Sequence, residues 1–215
     1  MSQYERNTNL LKKYIPEPAA PLIARWVVEF DFKLRITKGR NSKLGDYRSP
    51  VSGGNHIITV NHNLNRYAFF ITLVHEIAHL VTFNKYRDNV LPHGQEWKNE
   101  YKHLMRNFMS AEIFPTDVLM ALQKYLINPA ASSCSDTDLL RVLKKYDEAH
   151  TNGHLVFVEK IPHKATFKYN GDKLFEKGER IRTRYRCTEI NTGTTYLFHA
   201  LTEVESYEQQ VAVAS

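Results

Sequence analysis

The chain is short of cysteine. Its 215 residues hold two, Cys134 and Cys187, far apart in sequence. Two cysteines cannot form a disulfide framework, and the pattern fits a reducing, cytoplasmic setting. Long apolar runs are also missing. None approaches the ~20 residues that a membrane helix needs, so no membrane partner is expected. Met1 to Tyr14 is polar and lacks the apolar stretch of a secretory signal. There is no internal repeat and no low-complexity tract. Neither sign of charge is scarce: 29 Lys and Arg stand against 23 Asp and Glu, a formal net charge of +6. That excess suggests an anionic partner, although charge informs about association rather than fold. The length suits one large domain, or a medium domain with a small one, and is enough to bury a proper core.

What is present is a histidine pair at helical spacing, His75-Glu76-Ile77-Ala78-His79. Residues four apart on a helix lie on the same face, so both imidazoles can ligate one metal ion. The intervening Glu76 projects beside that ion, where it can take a proton from water. This is the H-E-x-x-H arrangement of zinc-dependent proteases. Only three of its five positions are fixed, so the surroundings matter. Tyr67 to Val74 is a run of mostly apolar residues leading into the motif, and Leu80 and Val81 continue it. The bland alternative is a pair of hydrogen-bonded core histidines, which would not call for Glu76 between them.

The periodicities predict an α+β protein. Ala19 to Glu29 reads as an amphipathic helix. Phe32 to Thr37, Leu44 to Arg48 and His56 to Asn61 read as three short strands, expected to form an antiparallel meander. Helices follow at Arg66 to Asn84, Gly94 to Met109, Thr116 to Ile127 and Asp136 to Ala149. At Thr151-Asn152-Gly153 the pattern changes to strands and turns. The expected domains are therefore 1–150, a zincin-like unit of helices on a small antiparallel sheet, and 151–215, a small β module. Gln209 to Ser215 is expected to be a disordered tail.

A catalytic zinc usually takes three protein ligands and keeps one position open. The best third ligand is His93, in Leu91-Pro92-His93-Gly94-Gln95-Glu96-Trp97. Thirteen residues separate it from His79, enough to finish a helix and fold back. Pro92 and Gly94 imply a fixed turn, and Trp97 would anchor the next helix. Glu96 is read as structural, since an acidic residue in the first turn of a helix is favourable there anyway. His56 and His62 are read as surface histidines or outer donors, and His103 has no evident partner. One Zn²⁺ per chain is expected, with Glu76 as general base. Tyr86 and Tyr101 are candidate donors to a developing oxyanion.

The segments Leu34-Arg35-Ile36-Thr37, Leu44-Gly45-Asp46-Tyr47-Arg48, Ile57 to Asn61 with Leu64-Asn65, His75 to Leu80, and His93-Gly94-Gln95-Glu96-Trp97-Lys98 together resemble the SprT-like domain. The resemblance covers about residues 10–110. It implies a gluzincin-like minimal metallopeptidase fold, with zinc on His75, His79 and His93 and with Glu76 as the catalytic residue. Eukaryotic relatives, the Spartan proteases, cleave proteins crosslinked to DNA. Bacterial members are commonly labelled transcription elongation proteins, which implies association with nucleic acid or polymerase. Many members end in a zinc ribbon with two C-x-x-C knuckles. Here Tyr185-Arg186-Cys187-Thr188-Glu189-Ile190 resembles one knuckle with Ile190 in place of the second cysteine. No cysteine stands near Val158 to Lys164, where the other knuckle would fall. Cys187 with His154, His163 and His199 has the wrong spacing for a recognised site, so a ribbon-like module held by apolar residues is expected.

Arg180, Arg182, Arg184 and Arg186 alternate with Ile181, Thr183, Tyr185 and Cys187. On one strand the four arginines would share a face and could track phosphates of DNA or RNA without reading sequence. Their alternative is a solvated outer face with Glu203 or Glu205 as counter-ions. Three functions follow. The first is a metallopeptidase acting on proteins bound to nucleic acid, with a peptide along a strand edge near the motif helix. The second is a non-catalytic, zinc-containing nucleic-acid binder associated with transcription elongation. The third is a regulator of a protein partner that docks on the arginine face.

Overall fold

The structure is a computed structural model, and it describes residues 1–40, 43–50, 53–130, 136–147 and 155–207. The chain divides into two units, Met1–Asp147 and Glu148–Ser215. In the first lie α1 (Gln3–Leu11), α2 (Ala20–Glu29), β1 (Phe32–Thr37), β2 (Gly45–Arg48), β3 (His56–Asn61), α3 (Arg66–Tyr86), α4 (Gln95–Arg106), α5 (Thr116–Ile127) and α6 (Thr137–Lys144). In the second lie β4 (Leu155–Phe157), β5 (Thr166–Lys168), β6 (Leu174–Ile181), β7 (Arg184–Glu189), β8 (Thr195–His199) and β9 (Glu203–Ser206). The protein is thus α+β, helices on a small sheet followed by a β module. Among the described residues no helix is long and apolar enough to cross a membrane. The expected boundary at 151–153 and the expected tail from 209 lie outside the described residues.

α3 organises the first unit. Its apolar residues fall on every side, as a helix enclosed by its neighbours requires. Phe69, Phe70, Ile71, Leu73, Val74, Ile77 and Ala78 are all fully buried. Asn65 starts the helix: its side-chain oxygen accepts from the backbone N–H groups of Tyr67 and Ala68. The same side chain donates to the Leu143 carbonyl and the Asp147 carboxylate, tying α6 to the start of α3. α4 packs along α3 and buries Trp97, Tyr101, Leu104 and Met105.

The three-stranded sheet differs from the expected antiparallel meander. Its order is β1-β3-β2, with β1 parallel to β3 and β2 antiparallel to it. The reason is burial. Ile58, Thr59, Val60 and Asn61 are consecutive buried residues in β3, as in a strand flanked by a neighbour on each side. β2, partly exposed throughout, is left at the edge. That edge borders α3.

The second unit is one antiparallel sheet of order β4-β9-β5-β6-β7-β8. Val158, Ile161, Phe167, Phe175, Cys187, Phe198 and Val204 form its core. The expected arginine strand does not exist here. β6 ends at Ile181, Arg182 takes a left-handed φ of 56°, and β7 begins at Arg184. The hairpin register sets Arg180 opposite Tyr185 and Ile181 opposite Arg184. Directly opposed residues share a face, so Arg184 and Arg186 point away from the face that carries Arg180. The alternation survives in sequence because both strands keep a period of two across the turn.

Candidate metal centre

Three imidazoles meet at one end of a cleft in the first unit. His75 and His79 come from successive turns of α3. His93 comes from the loop before α4, where the Gly94 N–H donates to the Leu91 carbonyl and closes a turn. The Nε2 atoms of His75 and His79 are 3.2 Å apart, those of His79 and His93 3.0 Å, and those of His93 and His75 3.4 Å. Hydrogen bonds cannot explain this triangle. A neutral imidazole nitrogen is either a donor or an acceptor. With three atoms and two roles, at least two must share one, so at least one contact is unfavourable. If all three present lone pairs to a cation, the conflict disappears. A tetrahedral Zn²⁺ with bonds of ~2.0–2.1 Å sets its ligand nitrogens ~3.3–3.4 Å apart, close to what is found. Among the described residues these three form the one such group of His, Cys, Asp or Glu side chains.

Trp97 builds the wall behind them. Its ring centroid lies 4.6 Å from that of His75, 5.3 Å from His79 and 4.8 Å from His93. Burial by this wall disfavours charged imidazolium. His75 is held well below its ordinary pKa, first by burial and then by His79 and His93. Burial likewise lowers His79 to about 3, with His93 contributing, and lowers His93. Neutral imidazole is the form that binds metal.

Glu76 is 7% exposed. Burial pushes its pKa up to about 8, helped by the Asp46 charge and opposed by Lys43, the Tyr47 backbone N–H and Arg40. A cation at the histidines would favour the carboxylate instead. Gly45 explains how β2 comes so close. A Cβ there would fall 2.5 Å from the Glu76 Oε1 atom and 2.8 Å from the Thr72 side chain. Glycine is therefore required by approach, and the approach brings the Tyr47 N–H onto Glu76.

The cleft measures about 550 Å³ and is bounded by Gly45 to Tyr47 on one side and Arg87 to His93 on the other. Tyr47 belongs to it and was not foreseen. Its ring lies parallel to His79 at 6.5 Å, and its hydroxyl is 2.9 Å from His56 Nδ1. His56 is thus a partner of a cleft residue. The other expectations separate. Tyr101 is fully buried behind His75, its hydroxyl without a hydrogen-bond partner among the described residues, and Tyr86 is outside the cleft lining. His103 lines a separate depression with Lys85 and Arg106. Glu96 turns back toward Gly94. Cys187 is buried in the second unit and joins no metal-binding group among the described residues. His154 lies outside them.

No curated protein and no solved structure matches the chain. The model of the SprT-like family does, over residues 11–117, a stretch that contains the sheet, the histidine triad and Glu76. Through these residues the chain belongs to the SprT-like family.

Proposed function

We propose that the protein is a zinc metallopeptidase that hydrolyses peptide bonds in proteins associated with nucleic acid. The observation that supports it most is the triangle of Nε2 atoms, 3.0–3.4 Å on each side, with a buried carboxyl one residue along α3 from His75. His75, His79 and His93 would hold one Zn²⁺ per chain, beside the cleft. The bound ion supplies Lewis-acid charge, making water nucleophilic near neutral pH and drawing charge onto a carbonyl oxygen.

The remaining work falls to the chain's own groups. Glu76, kept ionised by a cation at the histidines, takes the proton from the attacking water and delivers it to the leaving amine. The Tyr47 N–H faces that carboxyl and favours its ionised form. Trp97 and the buried apolar residues of α3 keep bulk water off the back of the site. The substrate lies extended along the edge of β2, whose residues line the cleft, and adds to the sheet as a further strand.

Two measurements test this. Elemental analysis of the wild type should find about one zinc per chain, and His93→Ala should bind it at least ~100-fold more weakly, beyond the ~10–100-fold cost of losing an outer partner. Glu76→Gln should keep the zinc and abolish cleavage of a protein bound to DNA. Cleavage that survives Glu76→Gln would refute the role given to Glu76. Zinc binding with no cleavage in the wild type would favour a non-catalytic nucleic-acid binder instead.

A further inference from the structure

One face of the first unit's sheet looks toward α3 and carries Gly45, Tyr47, Ile58 and Val60. Strand alternation sends the neighbouring residues to the opposite face. There the register aligns Lys33, Ile57 and Arg48 in one row, and Arg35, Thr59 and Asp46 in the next. Lys33, Arg35 and Arg48 are exposed, so this face is open. The segment after β1 adds Lys38, Arg40 and Lys43. Between Lys33 and Arg48 there are six Lys or Arg and one acidic residue, Asp46.

That acidic residue is already engaged. Asp46 binds Lys43 at 2.7 Å and Arg48 at 2.9 Å. Lys33, Arg35 and Lys38 have no carboxylate partner among the described residues. Arg40 is fixed by neutral groups, its Nε donating to Asn61 Oδ1 at 2.9 Å and its Nη2 to Thr59 Oγ1 at 3.1 Å, so it too makes no ion pair among the described residues. The platform is stiff. Asn61 is 1% exposed and donates back to the carbonyls of Arg40 and Lys43.

We propose that this sheet face, through Lys33, Arg35, Lys38 and Arg40, binds the phosphate backbone of a nucleic acid. Alternate residues on a strand recur every ~6.6 Å and neighbouring strands lie ~4.8 Å apart, a lattice of cations suited to a line of regularly spaced phosphates. Protein interfaces are enriched in aromatic residues and depleted in lysine, whereas Ile57 is the single large apolar residue of these two rows. The same lack of an apolar anchor argues against a lipid surface. With no ring to stack on a base, the face contacts backbone and not sequence. The inference supplies the nucleic-acid contact that the peptidase reading needs, and it does not depend on hydrolysis.

The test is fluorescence anisotropy of the full chain with labelled single-stranded and duplex DNA over a range of salt. The triple variant Lys33→Gln/Arg35→Gln/Lys38→Gln is compared with Arg184→Gln/Arg186→Gln in the second unit. Each phosphate contact contributes ~0.9 to the slope of log affinity against log salt for duplex and ~0.7 for single strands. The triple variant should therefore flatten the slope by about 2–3 and weaken binding on the order of tenfold or more at low salt. Zinc content and far-ultraviolet circular dichroism should not change, since these side chains are exposed. Wild-type affinity in the triple variant overturns the proposal, as does a wild type that does not bind DNA. Polyglutamate or phosphatidylserine vesicles bound through the same three residues in place of DNA would also overturn it, in favour of an acidic protein or a membrane. A chain that binds DNA through this face and cleaves nothing keeps this inference and loses the peptidase reading.

Discussion

Each unit buries a group of polar atoms, and the two groups are resolved differently. In the second unit Lys177 is 5% exposed. Its ammonium donates to the carbonyls of Glu159 and Ile161 and lies 4.1 Å over the Tyr185 ring. Its charge is spent inside the protein, which is how a structural group behaves. In the first unit three imidazole nitrogens face one another and cannot all be hydrogen-bonded partners. Glu76 beside them is buried, and burial pushes its pKa up to about 8. Buried polar groups that close on each other hold a fold together. Those that converge without a mutual solution point to something that joins them.

The comparison breaks if Lys177 is not the pin described. Lys177→Met keeps most of the apolar stem, removes the ammonium and leaves two carbonyls without their donor. It should destabilise the second unit by ~2–3 kcal/mol, read by denaturant melting with amide exchange to locate the loss. Zinc affinity of the first unit should stay as in the wild type. Unchanged stability would mean that the carbonyls find other donors and that the seven-residue core suffices alone.

The metal triad was legible because a helix converts spacing into a shared face, whatever surrounds it. His75, His79 and His93 needed no tertiary knowledge beyond a turn at Pro92-His93-Gly94. Gly45, Tyr47 and His56 did need it, because their roles depend on which strand is central. The near-continuous apolar run Ile57-Ile58-Thr59-Val60 carried that signal. α1 is mostly polar and has no apolar periodicity to mark it. Its capping box could have revealed it: the Ser2 hydroxyl accepts from the Glu5 N–H at 3.2 Å, and the Glu5 carboxylate accepts from the Ser2 N–H at 2.7 Å. The Arg182-Thr183 turn had no such signal, since it contains none of the usual turn residues and leaves the alternation intact.

Two glycines sharpen the contrast. A Cβ at Gly45 would meet the Glu76 carboxyl, whereas one at Gly178 would meet the Arg186 carbonyl oxygen at 2.6 Å. Both Gly45→Ala and Gly178→Ala should cost ~1–3 kcal/mol of overpacking. Only Gly45→Ala should also lower turnover, by up to ~100-fold if Glu76 shifts by about an ångström, with zinc retained. Equal turnover in the two variants would show that β2 does not position Glu76.

The smallest effect is the pH dependence of the metal-free protein, and here the opposed shifts in the first unit give a distinctive curve. His75, His79 and His93 sit below their ordinary 6.5, so the unfolded chain takes up protons that the folded one refuses. Their contribution is full above about pH 6.5 and is lost as pH falls. Glu76 is raised from 4.5 to about 8, so the folded state holds a proton that the unfolded state releases. Its contribution is full below about pH 4.5 and is lost as pH rises through 8. Three histidines outweigh one carboxyl between these limits, so stability should climb to a maximum near pH 6.5 and then decline toward 8. Urea melts across that range should show the maximum, and Glu76→Gln should abolish the alkaline decline while keeping the acid one. Zinc should also abolish the alkaline decline, because a nearby cation favours the ionised carboxyl. It should steepen the acid loss, because protons compete with the metal for the imidazoles. An alkaline decline that persists in Glu76→Gln would place its origin elsewhere than in the buried carboxyl.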